Sequence, residues 1–254
     1  MSHKTLSVII ICKNEERVIE QTLKSVQGWA DEIVVMDSGS TDRTVEIAKK
    51  YTDKIFVTDW PGYGVQKNRA LDKATSDWIL SIDADEVVTD KLKQEISSAI
   101  NSRSTKIAYR IPVKLFYFGK YIRSLLKRKP VILVKHGYGR FTEPSVHEAL
   151  KVSGSVGALR NHLLHHSYDS LSHQISKLNS YAELWANGKI GGSKKSSIFS
   201  AVMHSIWMLI KDILIYGAVF DGWRGILLSV IHAQYTFNKY AFLKTKSYQL
   251  ISNE

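Results

Sequence analysis

The chain holds a single cysteine, Cys12, in 254 residues. An intramolecular disulfide framework is therefore excluded, and a reducing compartment fits. Proline is nearly as scarce, at 4 residues, while 44% of the chain is hydrophobic. That balance excludes a disordered chain and allows a sizeable core. The start is poor in signal-peptide features. Met1–Thr5 is short and polar, and the apolar run Leu6–Ile11 is too short and wrongly flanked. A protein that stays on the cytoplasmic side is the expectation. Internal repeats and long low-complexity segments are also missing.

Acidic residues are scarce in one half only. Residues 1–100 carry 17 Asp and Glu against 13 Lys and Arg, a net −4. Residues 101–254 carry 7 against 22, a net +15. Such a split argues against a uniformly basic nucleic-acid coat protein, though not against a basic partner-binding half. At 28.8 kDa the chain is long for one average domain and short for two. One α/β domain with insertions is the simplest fit.

What is present is an alternation of strand and helix. Leu6–Ile11, Asp31–Met36, Lys54–Thr58 and Trp78–Ile82 read as strands. The stretch from Asn14 to Val26 has apolar residues at helical spacing, with Asn14 as its N-cap. Helices are also expected over Thr44–Tyr51 and Val65–Ala74. Four such alternations within about 100 residues predict a mostly parallel sheet with helices on both faces. Ligands of such sheets sit at the carboxyl ends of the strands. Asn14, Asp37 and the Asp83-Ala-Asp85 triplet all follow strands, so they should gather on one rim.

The middle is less regular. Ile107–Phe118 reads as a strand pair or one long bent strand, and 188–197 as a Gly-, Ser- and Lys-rich linker. Residues 198–220 approach membrane-spanning length. Lys211 and Asp212 near their middle, with His204 and Ser205 on the same side, favour an amphipathic helix instead. A second apolar stretch covers 225–240, with aromatic residues near its ends. These helices fit an interfacial anchor, and equally a packed subdomain or a dimer face. The expected organisation is one α/β domain in two parts, 1–115 and 116–190, followed by 191–254 as a membrane-associating helical region.

Two carboxylates one residue apart after a buried strand suit a divalent cation beside a diphosphate. Asp37 opens the turn Asp37-Ser-Gly-Ser-Thr-Asp42, which reads as an Asx turn and equally as a contact for a base or ribose. Three histidines, His162, His165 and His166, fall within five residues. They lack the Cys or carboxylate set of a transition-metal site, so a structural or acceptor-binding role is favoured.

These motifs carry a resemblance. Ser7–Glu16, Leu23, Ser25, Asp31–Asp42 with Thr44, and Asp83–Glu86 resemble the family 2 inverting glycosyltransferases of the GT-A fold. The resemblance covers about residues 5–90 in order and spacing. Phe118–Arg123, Arg140–Glu148 and Phe220–Gly225 are similar to a narrower group, the lipopolysaccharide core glycosyltransferases, notably β-1,4-glucosyltransferases acting on the first inner-core heptose. One departure stands out: where this group has an Arg-Leu-Phe type strand, this chain has Pro130-Val-Ile-Leu-Val-Lys135, with Lys135 or Arg140 to substitute for the arginine.

The resemblance implies an α/β GT-A domain, with 1–115 binding the nucleotide sugar and 116–190 the acceptor, followed by C-terminal amphipathic helices. It implies a hexosyl transfer from a UDP-sugar, with UDP-glucose favoured, to a lipopolysaccharide core at the cytoplasmic face of a bacterial inner membrane. The cofactor is Mg²⁺ or Mn²⁺, with Asp85 as the main ligand, Asp83 near ribose or metal, and His147 completing the shell or touching the diphosphate. Asp37, Cys12, Asn14, Glu15, Asp83 and Arg140 belong to the nucleotide-sugar pocket, with Lys67 and Arg69 toward the diphosphate. Inversion in one displacement needs a base opposite the leaving UDP. Few acids are available after residue 100, so Glu148 is the choice and Glu143 the reserve. The membrane is met peripherally. The rivals are another lipid-linked or protein acceptor, or a non-catalytic nucleotide-sugar-binding scaffold. Nucleic acid is not expected as a partner, because the aromatics cluster with apolar helices rather than along a basic groove.

Overall fold

The computed structural model describes residues 3–122, 124, 129–143, 148–166, 170–190 and 196–252. Its strands are β1 Leu6–Cys12, β2 Glu32–Asp37, β3 Ile55–Val57, β4 Trp78–Asp83, β5 Glu86–Val88, β6 Ala108–Arg110, β7 Val113–Tyr117, β8 Lys120–Tyr121, β9 Val131–Lys135, β10 Gly139–Phe141, β11 Leu150–Val152, β12 Val156–Ala158 and β13 Leu163–His165. The α-helices are α1 Ile19–Val26, α2 Thr44–Ala48, α3 Tyr63–Lys73, α4 Asp90–Asn101, α5 Leu171–Asn187, α6 Ile198–Ile210 and α7 Trp223–Ser252. The chain divides into two compact units: 1–115 with 128–166, and 116–127 with 167–254.

The first unit is built on a seven-stranded sheet of order β12-β6-β9-β4-β1-β2-β3. β1 runs parallel to both β2 and β4, and β2 parallel to β3. β9 enters antiparallel between β4 and β6, which makes the sheet mixed at that side. β1 and β2 are buried along their whole length, as their unbroken apolar runs require when both faces are covered. Ile10, Leu23, Leu80 and Ile96 belong to the core on one face, Ile9, Met36, Ala70 and Val134 to that on the other. A smaller sheet places β13 between β5 and β7. The expected pair within Ile107–Phe118 is thus two strands in different sheets, parted at Ile111-Pro112. The proline cannot donate to a ladder.

Helix ends follow side-chain chemistry. Thr89 caps α4 by accepting from Leu92 N at 3.2 Å, and Leu92, Ile96 and Ile100 then face the core. α1 starts at Ile19, not at Asn14, and buries Ile19, Leu23 and Val26. Asn14 is not its cap: it adopts φ +55°, and its side-chain oxygen accepts from Thr41 N at 2.8 Å.

At the amino edge of the sheet, buried Glu32 accepts from Thr75 N at 2.8 Å and Thr75 Oγ1 at 2.9 Å, and also from Ser7 and Lys54. Burial alone would raise this carboxyl, but these donors outweigh it and hold its pKa down at about 2. A concavity of about 570 Å³ opens there, beside Asp31, Tyr51 and Asp53. It lies at the strand starts, at the end of the sheet away from Asp37 and Asp83.

In the second unit, α5 and α6 each pack on α7. Asn238 Nδ2 donates to Asn179 Oδ1 at 2.6 Å, and Ser205 Oγ to the Ala233 carbonyl at 2.8 Å. Buried Asp212 meets His232 at 2.9 Å. Residues 198–220 do not form one helix. α6 passes into a π-helical turn, Lys211–Ile215, then a 3₁₀ turn, Ala218–Asp221. A Cβ on Gly225 would stand 1.9 Å from the Ala218 carbonyl oxygen, so only glycine permits this approach of α7. The expected linker is bounded by α5 and α6, with 191–195 outside the described residues.

Candidate active site

Parallel pairing sets the site. Cys12 is in register with Asp37, and Ile11 with Asp83, so the carboxyl ends of β1, β2 and β4 share one edge. The convergence expected for a parallel sheet is present.

Asp37 is fully buried. Its Oδ2 accepts from Gly39 N at 2.9 Å and Ser40 N at 2.8 Å, and Oδ1 from the Ser40 hydroxyl. Gly39 takes φ +77°, which glycine supplies without strain. Asn14 N donates to Ser40 Oγ at 2.8 Å, and Glu15 N to Thr44 Oγ1 at 2.7 Å. The loops after β1 and β2 are thereby stitched together. Cys12 Sγ lies 3.6 Å from Asp37 Oδ1. Burial first, and that carboxylate second, push the thiol pKa upward, so Cys12 is a neutral wall and not a nucleophile.

α3 supplies the next layer. Lys67 Nζ lies 2.9 Å from Asp83 Oδ1 and 2.8 Å from Glu148 Oε1. Burial disfavours its charge, yet Asp83 and Glu148 more than offset this and raise the ammonium pKa. Asn68, the next residue, clamps the strand before the candidate bases. Its Nδ2 donates to the Phe141 carbonyl at 3.0 Å and to Glu143 Oε1 at 3.1 Å, and its Oδ1 accepts from Phe141 N at 2.8 Å. A Cβ on Gly64 would lie 2.0 Å from the Thr142 carbonyl oxygen, so glycine lets α3 press against this backbone. Glu143 follows β10 and Glu148 precedes β11. His147 lies outside the described residues.

Two expected nucleotide-sugar-binding residues are engaged elsewhere. Arg69 pairs with Asp59 at 2.7 Å, and Arg140 makes a two-pronged pair with Asp72. Neither joins the Asp83–Lys67–Glu148 chain.

Asp85 Oδ2 lies 3.1 Å from His165 Nε2. The pairing of β13 with β5 sets His165 opposite Glu86, whose Oε2 accepts from Asp83 N at 2.9 Å. Burial opposes a charged imidazole, but Asp85 and then Glu86 hold His165 up at about 9. Burial and Asp83 push the Glu86 carboxyl upward. His165 is the residue whose place the sequence did not reveal: it was one of three clustered histidines, and only the register singles it out. Among the described residues no group of three or more His, Cys, Asp or Glu forms a ready metal cage. The Asp83–Asp85 pair instead offers carboxylate oxygens, the donors that a hard cation shares with phosphate and water.

Residues 7–141 match the family described as Glycosyl transferase family 2. The chain belongs to glycosyl transferase family 2. It is a nucleotide-sugar-dependent glycosyltransferase with the GT-A fold. A Rickettsia typhi protein named as an uncharacterized glycosyltransferase is 30% identical over 257 residues, covering 96% of this chain and 88% of the relative. The lipopolysaccharide core biosynthesis glycosyltransferase LpsC of Rhizobium meliloti is 30% identical over 206 residues, covering 78% and 76%. The S. aureus TarS 1–349 structure in complex with UDP-GlcNAc shares the fold, with a TM-score of 0.53 and 14% identity over 98% of this chain and 92% of that one. The candidate site lies at the carboxyl edge of the sheet, where ligands of parallel α/β sheets are held.

Proposed function

We propose that this family 2 enzyme transfers a hexose, with glucose from UDP-glucose favoured, to a heptose of the lipopolysaccharide inner core, with inversion. The acceptor class rests on the narrower sequence resemblance and on similarity to the Rhizobium relative. The observation that carries the mechanism is the Asp83–Lys67–Glu148 chain, which links a donor-side carboxylate to the candidate base.

In this reading the loops tied by Asp37, together with Cys12, Asn14 and Glu15, line the nucleotide. Asp83 and Asp85 would hold Mg²⁺ or Mn²⁺. When bound, the cation neutralises charge on the diphosphate as it leaves. Lys67 sets a fixed positive charge between Asp83 and Glu148. Glu148 accepts the acceptor hydroxyl's proton as its oxygen bonds to the anomeric carbon. The bond from that carbon to the phosphate oxygen breaks on the opposite face, and UDP carries off the electron pair. An α-linked donor thus gives a β-linked product. Glu143, held by Asn68, is the reserve base. Arg69 and Arg140 reach the nucleotide sugar only by releasing Asp59 and Asp72. The setting is the cytoplasmic face of a bacterial inner membrane, where such acceptors are lipid-linked.

A screen of several UDP-sugars against core lipid, with mass analysis of the product, tests this. One added hexose from UDP-glucose is the expected result. No product from any donor with core lipid overturns the acceptor assignment.

A further inference from the structure

The second unit exposes an apolar surface of its own. Phe199, Trp207, Leu214, Ile215, Phe220 and Trp223 are each between 57% and 86% exposed. Residues Ile198–Ile215 have a mean hydropathy of 1.6, and only 11% of them are buried. An uncovered surface of this kind marks an interaction site.

Charge indicates what covers it. The acids within 196–252 are Asp212 and Asp221 alone. Both are buried, Asp212 against His232 and Asp221 as acceptor from Ser124 N at 2.9 Å. The stretch therefore shows no exposed carboxylate, while its five Lys and Arg remain unburied. Two of these stand beside aromatic rings of the apolar surface. Lys211 Nζ lies 5.1 Å from the Tyr216 ring centre, and the Arg224 guanidinium 4.6 Å from that of Trp223. Aromatic rings with cations beside them are the composition of a membrane interface. A second copy seated by two-fold symmetry would instead bring like charges together.

The same contacts decide between lying on a bilayer and crossing it. The segment is long enough to span by length and composition. Yet one side of it is tied to α7 through Ser205 and Asp212, and the α-helix gives way to the π-helical turn at Lys211. Only the opposite side is bare. One-sided apolar helices with cationic flanks lie in the interface plane.

We propose that α6, the turns that follow it and the start of α7 form a docking surface for an anionic lipid bilayer, lying in the headgroup region without spanning it. This deepens the reading of a lipid-linked acceptor and rests on it only for why a bilayer is met.

Co-sedimentation of the full chain with phosphatidylglycerol-containing vesicles and with neutral phosphatidylcholine vesicles tests it, without UDP or acceptor. Stronger binding to the anionic vesicles, weakened by salt, is expected. Leu214→Glu and Phe220→Glu should each weaken that binding about tenfold or more, with the melting temperature and transfer to a deacylated acceptor unchanged. Quenching of tryptophan emission by brominated lipid reads the same contact in the unaltered chain. Equal binding by wild type and variants, no quenching, or a dimer in light scattering that the variants split would each overturn the proposal. So would retention in membranes through an alkaline wash, which marks a spanning segment. Intact vesicle binding with no transfer to core lipid would refute the acceptor assignment and leave the docking surface standing.

Discussion

Lys67 Nζ lies 2.8 Å from Glu148 Oε1, across 81 residues of sequence, and both side chains are largely buried. Asp83 holds the other side of the same ammonium at 2.9 Å. One positive charge thus stands between the largely buried Glu148 and the half-exposed Asp83. Removing it leaves the buried Glu148 uncompensated, and breaking a buried pair costs more than the pair contributes. Lys67→Met should therefore lower stability by about 3 kcal/mol, read as the urea midpoint at constant slope. Transfer should fall as well, with partial recovery in Lys67→Arg. A variant as stable as wild type would show that the ion pair is incidental.

Gly64 carries a second expectation. An added methyl would meet the Thr142 carbonyl, which belongs to backbone and cannot swing aside. Gly64→Ala should cost roughly 1–3 kcal/mol through forced backbone shift. It should also loosen the Asn68 clamp on Glu143. Loss of the clamp reads as faster amide exchange at Phe141, whose N–H is held by Asn68 Oδ1. Unchanged exchange and stability would contradict the tight approach of α3.

The reach of sequence reasoning shows in particular residues. β1, β2 and β4 were legible because runs such as Leu6–Ile11 admit only a strand covered on both faces, and the shared rim followed from their parallel order. Asn14 was misread as a helix cap because its side chain can satisfy a helix start or a neighbouring loop equally well. Tertiary pairing with Thr41 decided for the loop. The partners of Lys67, Arg69 and Arg140 were not legible, since long cationic side chains reach several carboxylates and only the fold ranks them. His165 was hidden for a different reason. Its place beside Asp85 depends on the register of two three-residue strands, too short to announce themselves by pattern.

Metal dependence gives a third expectation. Chelation with EDTA should stop transfer, and Mg²⁺ or Mn²⁺ should restore it. Asp85→Ala should abolish the metal-stimulated part. Near-normal activity in EDTA would remove the cation from the account.

Acid should weaken the first unit through Glu32. Its folded pKa of about 2 lies below the ordinary 4.5. A depressed carboxyl stabilises the fold above its unfolded pKa, and this contribution fades as pH falls toward the folded value. A loss on the order of 2–3 kcal/mol between about pH 5 and pH 2 is expected. Glu32→Gln should be less stable at neutral pH and flatter over that window, as followed by urea unfolding at each pH. An identical pH slope in the variant would contradict the assignment.

Paired substitutions distinguish Glu148 from Glu143 as the base. Kinetics and UDP binding would be measured for Glu148→Gln and Glu143→Gln. Glu148→Gln should bind UDP as wild type does and lose about 10²–10⁴ in turnover, while Glu143→Gln keeps most of its activity. The reverse pattern, with Glu143→Gln inactive and Glu148→Gln turning over normally, would contradict Glu148 as the base.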